Sequence, residues 1–72
     1  MTIFISNVNE RARRSLSQLI ADGGALEVDY GIQIFDIDTI SEINAPGCII
    51  MSNEFNFVAV SQEDFGGLYI EA

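Results

Sequence analysis

Carboxylates are the side chains of this sequence whose types and spacing suggest chemistry. Glu27, Asp29, Asp36 and Asp38 all occur within residues 25–38, ALEVDYGIQIFDID, and no base lies among them. Carboxylates two residues apart on a β-strand lie on the same face, about 6.7 Å from each other. Such pairs can hold a divalent metal ion, or they can form a row of negative charge that attracts a basic partner.

The pair Asp36 and Asp38 is the candidate for a Mg²⁺ or Ca²⁺ site. The sequence around it lacks the glycine and the terminal glutamate of a calcium loop at the proper offsets. Thr39 to Ser41 supplies no further carboxylate. We therefore favour a solvated strand edge, kept acidic to discourage pairing with other edges, over a metal site, and we predict no cofactor.

Enzyme chemistry lacks the residues it needs. The sequence has no His, no Lys, no glycine-rich phosphate loop and no G-x-S-x-G motif. Its single cysteine, Cys48, has no histidine that could act as its base, so we favour a small buried hydrophobic residue over a reactive thiol. We predict that the protein is not an enzyme.

The charges are divided unevenly along the chain. The formal net charge is −8, and the three bases, Arg11, Arg13 and Arg14, lie within four positions. Residues 15–72 contain ten acids and no base. Phosphate backbones and anionic membrane surfaces repel such a protein, so we expect partners of positive charge and no direct binding to nucleic acid or membrane. The arginines either form a solvated helix face with Glu10 or contact the acidic face of a second copy.

The stretch that carries the four carboxylates is the longest predicted strand. Leu26, Val28 and Tyr30 alternate with acids, which is typical of a strand with one buried and one solvated face. From Phe35 the alternation is shifted by one residue, so a bulge or bend is expected between Gly31 and Phe35.

One amphipathic helix is predicted from about Asn9 to Asp22, after a short strand at Thr2 to Ser6. Asn7 or Asn9 can cap its first turn, and Gly23 with Gly24 can end it. Its apolar stripe consists of Val8, Ala12, Leu16, Leu19 and Ile20.

The second half of the chain is predicted to be mostly strands. Thr39 to Gly47 forms either a helical turn or a loop, with a type II turn at Pro46-Gly47. Cys48 to Met51 and Phe55 to Val60 form a hairpin whose strands, apolar at nearly every position, should be covered on both faces. After the polar connection Ser61 to Gly67, Leu68 to Glu71 gives a last strand. The sequence thus predicts a single α+β domain, residues 1–72, with one amphipathic helix packed on a four- to five-stranded, mostly antiparallel sheet.

The chain is more apolar than its size requires. Its hydrophobic fraction is 49%, whereas a domain of about this length buries only roughly 60% of its unfolded surface. We therefore expect a partner or a second copy, as in a homodimer, to cover some of this surface. Met1 to Glu10 does not resemble a signal peptide, and no segment is long and apolar enough to span a bilayer, so the cytoplasm is the expected location.

In size and composition the chain resembles the phage-encoded inhibitors that mimic DNA, among them anti-CRISPR and anti-restriction proteins. They are small, acidic, lysine-poor α+β domains without catalytic residues. The resemblance implies an inhibitor that acts in the host cytoplasm, where its carboxylates take the place of phosphates in the basic channel of a defence complex. Several proteins of this type are dimers.

The function expected from the sequence is therefore that of a non-enzymatic inhibitor whose acidic surface blocks a basic DNA- or RNA-binding site of a host defence complex. The alternative is a homo-oligomeric structural or adaptor subunit whose acidity only confers solubility. The expected partner-binding residues are all carboxylates: Glu27, Asp29, Asp36, Asp38, Glu42, Glu54, Glu63 and Asp64.

Overall fold

The computed structural model describes residues 1–42, 48–53 and 57–71. Within these ranges the chain forms seven strands, one α-helix and one 3-10 turn. In chain order they are β1 (Thr2–Ser6), α1 (Glu10–Ala21), β2 (Ala25–Val28), β3 (Gly31–Ile34), β4 (Thr39–Glu42), β5 (Cys48–Ser52), β6 (Phe57–Ser61), the 3-10 turn (Gln62–Asp64) and β7 (Gly67–Glu71).

The strands form two antiparallel sheets. Sheet A has the order β2-β3-β1-β7, and sheet B has the order β4-β5-β6. The α-helix contacts β2 of sheet A and β6 of sheet B. Apolar side chains from both sheets and from the helix meet in one core, which includes Ile5, Leu16, Ile34, Met51 and Val60. The prediction of an α+β fold with one helix is confirmed, and the strands are divided between two sheets.

The helix begins and ends where the sequence predicts. Asn9 is the N-cap, and its side-chain oxygen accepts a hydrogen bond from the backbone N–H of Ala12 at 3.0 Å. Ala12, Leu16 and Leu19 of the predicted stripe are buried. After the C-cap Asp22, Gly23 has a φ of +81°, the left-handed conformation that glycine adopts without steric cost.

Residues 25–38 do not form one strand, and the prediction of a single long strand was wrong. The chain reverses at Asp29-Tyr30, so β2 and β3 form a hairpin in which Ala25 lies opposite Ile34. The shifted alternation after Phe35 marks the exit from sheet A instead of a bulge, since β3 ends at Ile34.

Thr39 to Gly47 contains a strand that the sequence did not predict. Thr39–Glu42 is β4, and it pairs with β5 so that Ile40 lies opposite Met51. The turn predicted at Pro46-Gly47 lies outside the described residues. The antiparallel pairing of β5 with β6 confirms the predicted hairpin, while Phe55 also lies outside the described residues.

Strand β6 is covered on one face within this chain, not on two. Val58 and Val60 are buried in the core, whereas Phe57 and Ala59 are exposed. The alternation follows from the pleat of the strand, which points successive side chains to opposite faces, and within the described residues only one face of β6 meets the core. No helix in the described part of the chain is both long enough and apolar enough to cross a membrane.

Candidate partner-binding surface

One face of sheet A holds the core, and in the described part of the chain the other face is not buried. The register places Ile3 and Ile5 of β1 on the same side as Ile34 and Ile32 of β3, and this side is buried. The alternate residues point the other way. We call this side the outer face of sheet A, and its larger side chains are Thr2, Phe4, Leu26, Val28, Gln33, Tyr69 and Glu71.

Aromatic rings lie in the middle of the outer face. Tyr69 of β7 lies directly opposite Phe4 of β1, and the ring of Phe4 is 5.2 Å from that of Tyr30, centroid to centroid, with an angle of 45° between the planes. Tyr30, in the hairpin turn, is 67% exposed, and Tyr69 is 63% exposed. Two large aromatic side chains are thus presented to solvent beside a half-buried third.

These rings surround a shallow depression with a volume of about 230 Å³. Its lining combines the three aromatic side chains with one amide, one hydroxyl and one carboxylate, from Thr2, Phe4, Tyr30, Gln33, Tyr69 and Glu71. The polar groups come from β1, β3 and β7, so the antiparallel register of three strands holds them around one opening.

The arginines lie on the opposite side of sheet A from this depression. Arg13 of the helix contacts Glu27, with 3.4 Å between Nη1 and Oε1. Glu27 lies opposite the buried Ile32, so it points toward the helix side of sheet A. Arg13 compensates part of the charge of Glu27, so this carboxylate is less available for an external cation than an unpaired one would be.

Asp64 has an internal role that its sequence position did not reveal. Its side chain is 9% exposed, its Oδ1 accepts a hydrogen bond from Asn9 Nδ2 at 2.9 Å, and its Oδ2 lies 3.7 Å from Nε of Arg11. Asp64 therefore fixes the 3-10 turn to the start of the helix, and its burial takes it out of the exposed acidic set.

The remaining predicted carboxylates do not form one row. Asp29 lies in the hairpin turn, which is at the Ser6 end of β1. Asp36 and Asp38 follow β3 at the opposite end of sheet A, where the backbone N–H of Ile37 donates to the carbonyl oxygen of Met1. All three are exposed. They flank sheet A at its two ends instead of lining one strand.

Three other predicted residues lie away from sheet A or cannot be placed on a surface. Glu63 is exposed in the 3-10 turn, beside Asp64. Glu42 is the last residue of β4. Glu54 lies outside the described residues.

Sequence reasoning missed the aromatic residues and Glu71. The signal that could have found them is the alternation in β1 (TIFIS) and β7 (GLYIE), which sets Phe4 and Tyr69 on the face opposite to Ile3, Ile5 and Leu68. Pairing of the first strand with the last is a long-range contact, and no local pattern specifies it.

The described residues contain no group of three His, Cys, Asp or Glu side chains placed to hold a metal ion. Cys48 is a free, partly buried thiol in β5. Comparison with known proteins gives no similarity from which a function could be transferred: no family model matches the sequence, and neither a curated protein nor a solved structure matches it significantly.

Proposed function

We propose that this protein is a non-enzymatic inhibitor that occupies a basic, nucleic-acid-binding surface of another protein, in the manner of the anti-CRISPR and anti-restriction inhibitors that it resembles in composition. The observation that carries the proposal is the separation of charge. On the outer face of sheet A the one charged side chain among the described residues is Glu71, whereas the arginines belong to the helix on the other side. The cytoplasm is the compartment where such a target is found.

The inhibitor would act by steric and electrostatic competition. A net charge of −8 accelerates the encounter with a basic surface and repels competing nucleic acid. Contacts of the exposed apolar side chains Leu26, Tyr30 and Tyr69 would then slow dissociation, because burial of aromatic side chains dominates the energetics of protein interfaces.

The test begins with affinity capture from a bacterial lysate at low ionic strength. The proposal predicts that a nucleic-acid-binding protein is retained and that added duplex DNA or high salt releases it. Retention of this protein alone, or of proteins that DNA does not displace, would contradict the proposal.

The captured protein then serves to test the carboxylates at the ends of sheet A. The double variant Asp29→Asn, Asp36→Asn should bind it about tenfold more weakly at low salt, because two charges near the interface are lost. Asparagine is the suitable replacement at position 36, since Asp36 has a φ of +52° and asparagine tolerates this left-handed conformation. Lysine there would combine a charge effect with backbone strain.

A matched control removes the same amount of charge from the other side of the molecule. The variant Glu10→Gln, Asp22→Asn changes the two ends of the helix and also raises the net charge from −8 to −6. It should bind nearly as well as the wild type. If both double variants lose the same affinity, the net charge acts on the target from a distance. The ends of sheet A would then not contact the target.

The outer face of sheet B favours a second candidate function, a homo-oligomeric structural or adaptor subunit. The register places Ser41, Ile50, Phe57 and Ala59 on this face, and Phe57 is 71% exposed. None of its described side chains is charged, so two copies could approach through it without bringing like charges together. Light scattering at high protein concentration tests this function. A monomer would exclude it, and a dimer that the substitution Phe57→Ser dissociates would support it.

A further inference from the structure

We propose that the depression on the outer face of sheet A binds the guanidinium group of an arginine side chain that the partner protein presents. The proposal deepens the proposed function and rests on it, because a basic nucleic-acid-binding surface is where exposed arginines are concentrated. It assigns a ligand to residues that are otherwise unexplained, namely exposed aromatic side chains around a carboxylate.

The volume of the depression suits one side chain. About 230 Å³ is below the roughly 300–1,000 Å³ of sites for small-molecule ligands. The arginine side chain, with seven non-hydrogen atoms beyond Cα, is smaller than the ligands that such larger sites take.

The lining has the groups that a guanidinium recognises. The rings of Phe4, Tyr30 and Tyr69 offer aromatic faces, over which a planar cation is attracted by the ring quadrupole. Glu71 supplies a carboxylate that can accept two parallel N–H bonds, and the oxygens of Gln33 and Thr2 can accept others. A guanidinium has five N–H donors, so several acceptors around one opening suit it better than they suit an apolar side chain.

Other classes of ligand fit the depression less well, because of its charge and its aromatic lining. Phosphate and nucleotide ligands meet a lining with one carboxylate and no base, in a protein of net charge −8. A lysine ammonium is attracted too, but it is strongly hydrated and lacks the flat surface that stacks on an aromatic ring. Arginine is therefore the occupant to which the lining is complementary.

The test is an NMR titration of the labelled protein with a capped Gly-Arg-Gly peptide. A capped Gly-citrulline-Gly peptide is the matched control, because citrulline has nearly the shape of arginine without its charge. We expect millimolar binding of the arginine peptide, with shifts concentrated on the Gln33 side-chain amide and on the Tyr30 and Tyr69 rings. Citrulline should bind at least about threefold more weakly, the factor that a cation–π contact at an exposed site provides.

Variants then assign the binding to the depression. Tyr69→Ala and Glu71→Gln should each weaken the arginine peptide about threefold or more, through loss of a ring and of a carboxylate. Phe57→Ala is the control, because Phe57 is an equally exposed aromatic residue on sheet B, away from the depression. A conserved HSQC pattern in each variant shows that the fold is retained.

Three outcomes would overturn the proposal: equal binding of both peptides, shifts located elsewhere, or a dimer held by Arg14 of a second copy in the depression, which Arg14→Gln would dissociate. Failure here is distinct from failure of the proposed function. If Tyr69→Ala and Glu71→Gln leave the affinity for the captured basic protein unchanged while Asp29→Asn, Asp36→Asn lowers it, the inhibitor function stands and the arginine site does not.

Discussion

At the residue scale, the side chain of Asn9 stabilises two parts of the fold, the start of the helix and the 3-10 turn. Its oxygen caps the helix by accepting from the N–H of Ala12, and its amide nitrogen donates to the buried carboxylate of Asp64. Its backbone N–H also donates to the carbonyl oxygen of Asp64, at 2.9 Å. The oxygen and the nitrogen of the side-chain amide therefore both form hydrogen bonds. Aspartate, also a good N-cap residue, has no such N–H donor.

Replacing Asn9 by Asp should destabilise the protein although aspartate is as good an N-cap as asparagine. The substitution removes the donor and brings a second carboxylate against Asp64, so we expect a loss of about 2 kcal/mol in the free energy of unfolding. Asn9→Ser keeps a cap without the like charge and should lose less, about 1 kcal/mol. Urea unfolding at neutral pH measures both.

The background variant Asp64→Asn tests the cause of this difference. Without the second carboxylate, Asn9→Asp and Asn9→Ser should have nearly equal stabilities. If Asn9→Asp remains less stable than Asn9→Ser by the same margin, repulsion by Asp64 is not the reason.

At the element scale, the first hairpin explains where the sequence analysis failed. Leu26, Val28, Ile32 and Ile34 are all at even positions, so they resemble one continuous alternation. A two-residue turn at Asp29-Tyr30 sets odd residues of β2 beside even residues of β3, as in the pair Ala25 and Ile34. The apolar even residues thus lie on opposite faces, and Leu26 is 54% exposed.

The helix could be predicted, because its apolar stripe, its N-cap Asn9 and the glycine after its C-cap, Gly23, are local signals. The candidate site could not be predicted to the same degree. Its carboxylates are plain in the sequence, but the aromatic depression depends on pairing β1 with both β3 and β7, whose residues are far apart in the chain.

Gly31 is the position where the sheet has no room for a side chain. A Cβ atom added there would lie 1.9 Å from the carbonyl oxygen of Ile5, a backbone atom of the neighbouring strand. We expect Gly31→Ala to destabilise the protein by about 3 kcal/mol or more, since β1 and β3 must separate.

Gly23→Ala is the matched control for this prediction. A Cβ atom at position 23 meets nothing within 4 Å, and only the φ of +81° opposes it. A cost of about 1 kcal/mol is expected, measured by thermal and urea unfolding. Equal costs at positions 23 and 31 would show that the close approach of Gly31 to Ile5 does not limit the fold.

On the scale of the whole molecule, charge repulsion opposes folding. The protein measures 28 × 25 × 22 Å and has a net charge of −8. The Debye length is about 30 Å at 0.01 M salt and about 8 Å at 0.15 M. At the lower ionic strength every charge therefore acts on almost every other, and at the higher one only near neighbours interact.

Added NaCl should therefore stabilise the protein between these two concentrations. We expect a gain on the order of 1 kcal/mol, which corresponds to a rise of about 4–8 °C in Tm for a domain of this size. The double variant Asp29→Asn, Asp36→Asn should gain less, because its repulsion is smaller. A fall in Tm with salt would mean that attractive pairs such as Arg13–Glu27 outweigh the repulsion.

The antiparallel pairing of β1 with β7 sets Thr2 directly opposite Glu71, and both residues line the depression. The chain that leads into Thr2 and the chain that continues from Glu71 therefore both pass beside the candidate binding site. A purification tag or fusion partner joined there could block the depression. Binding assays should therefore use protein from which the tag has been cleaved. By the same geometry, a fluorophore attached at either end is close enough to report directly on what enters the depression.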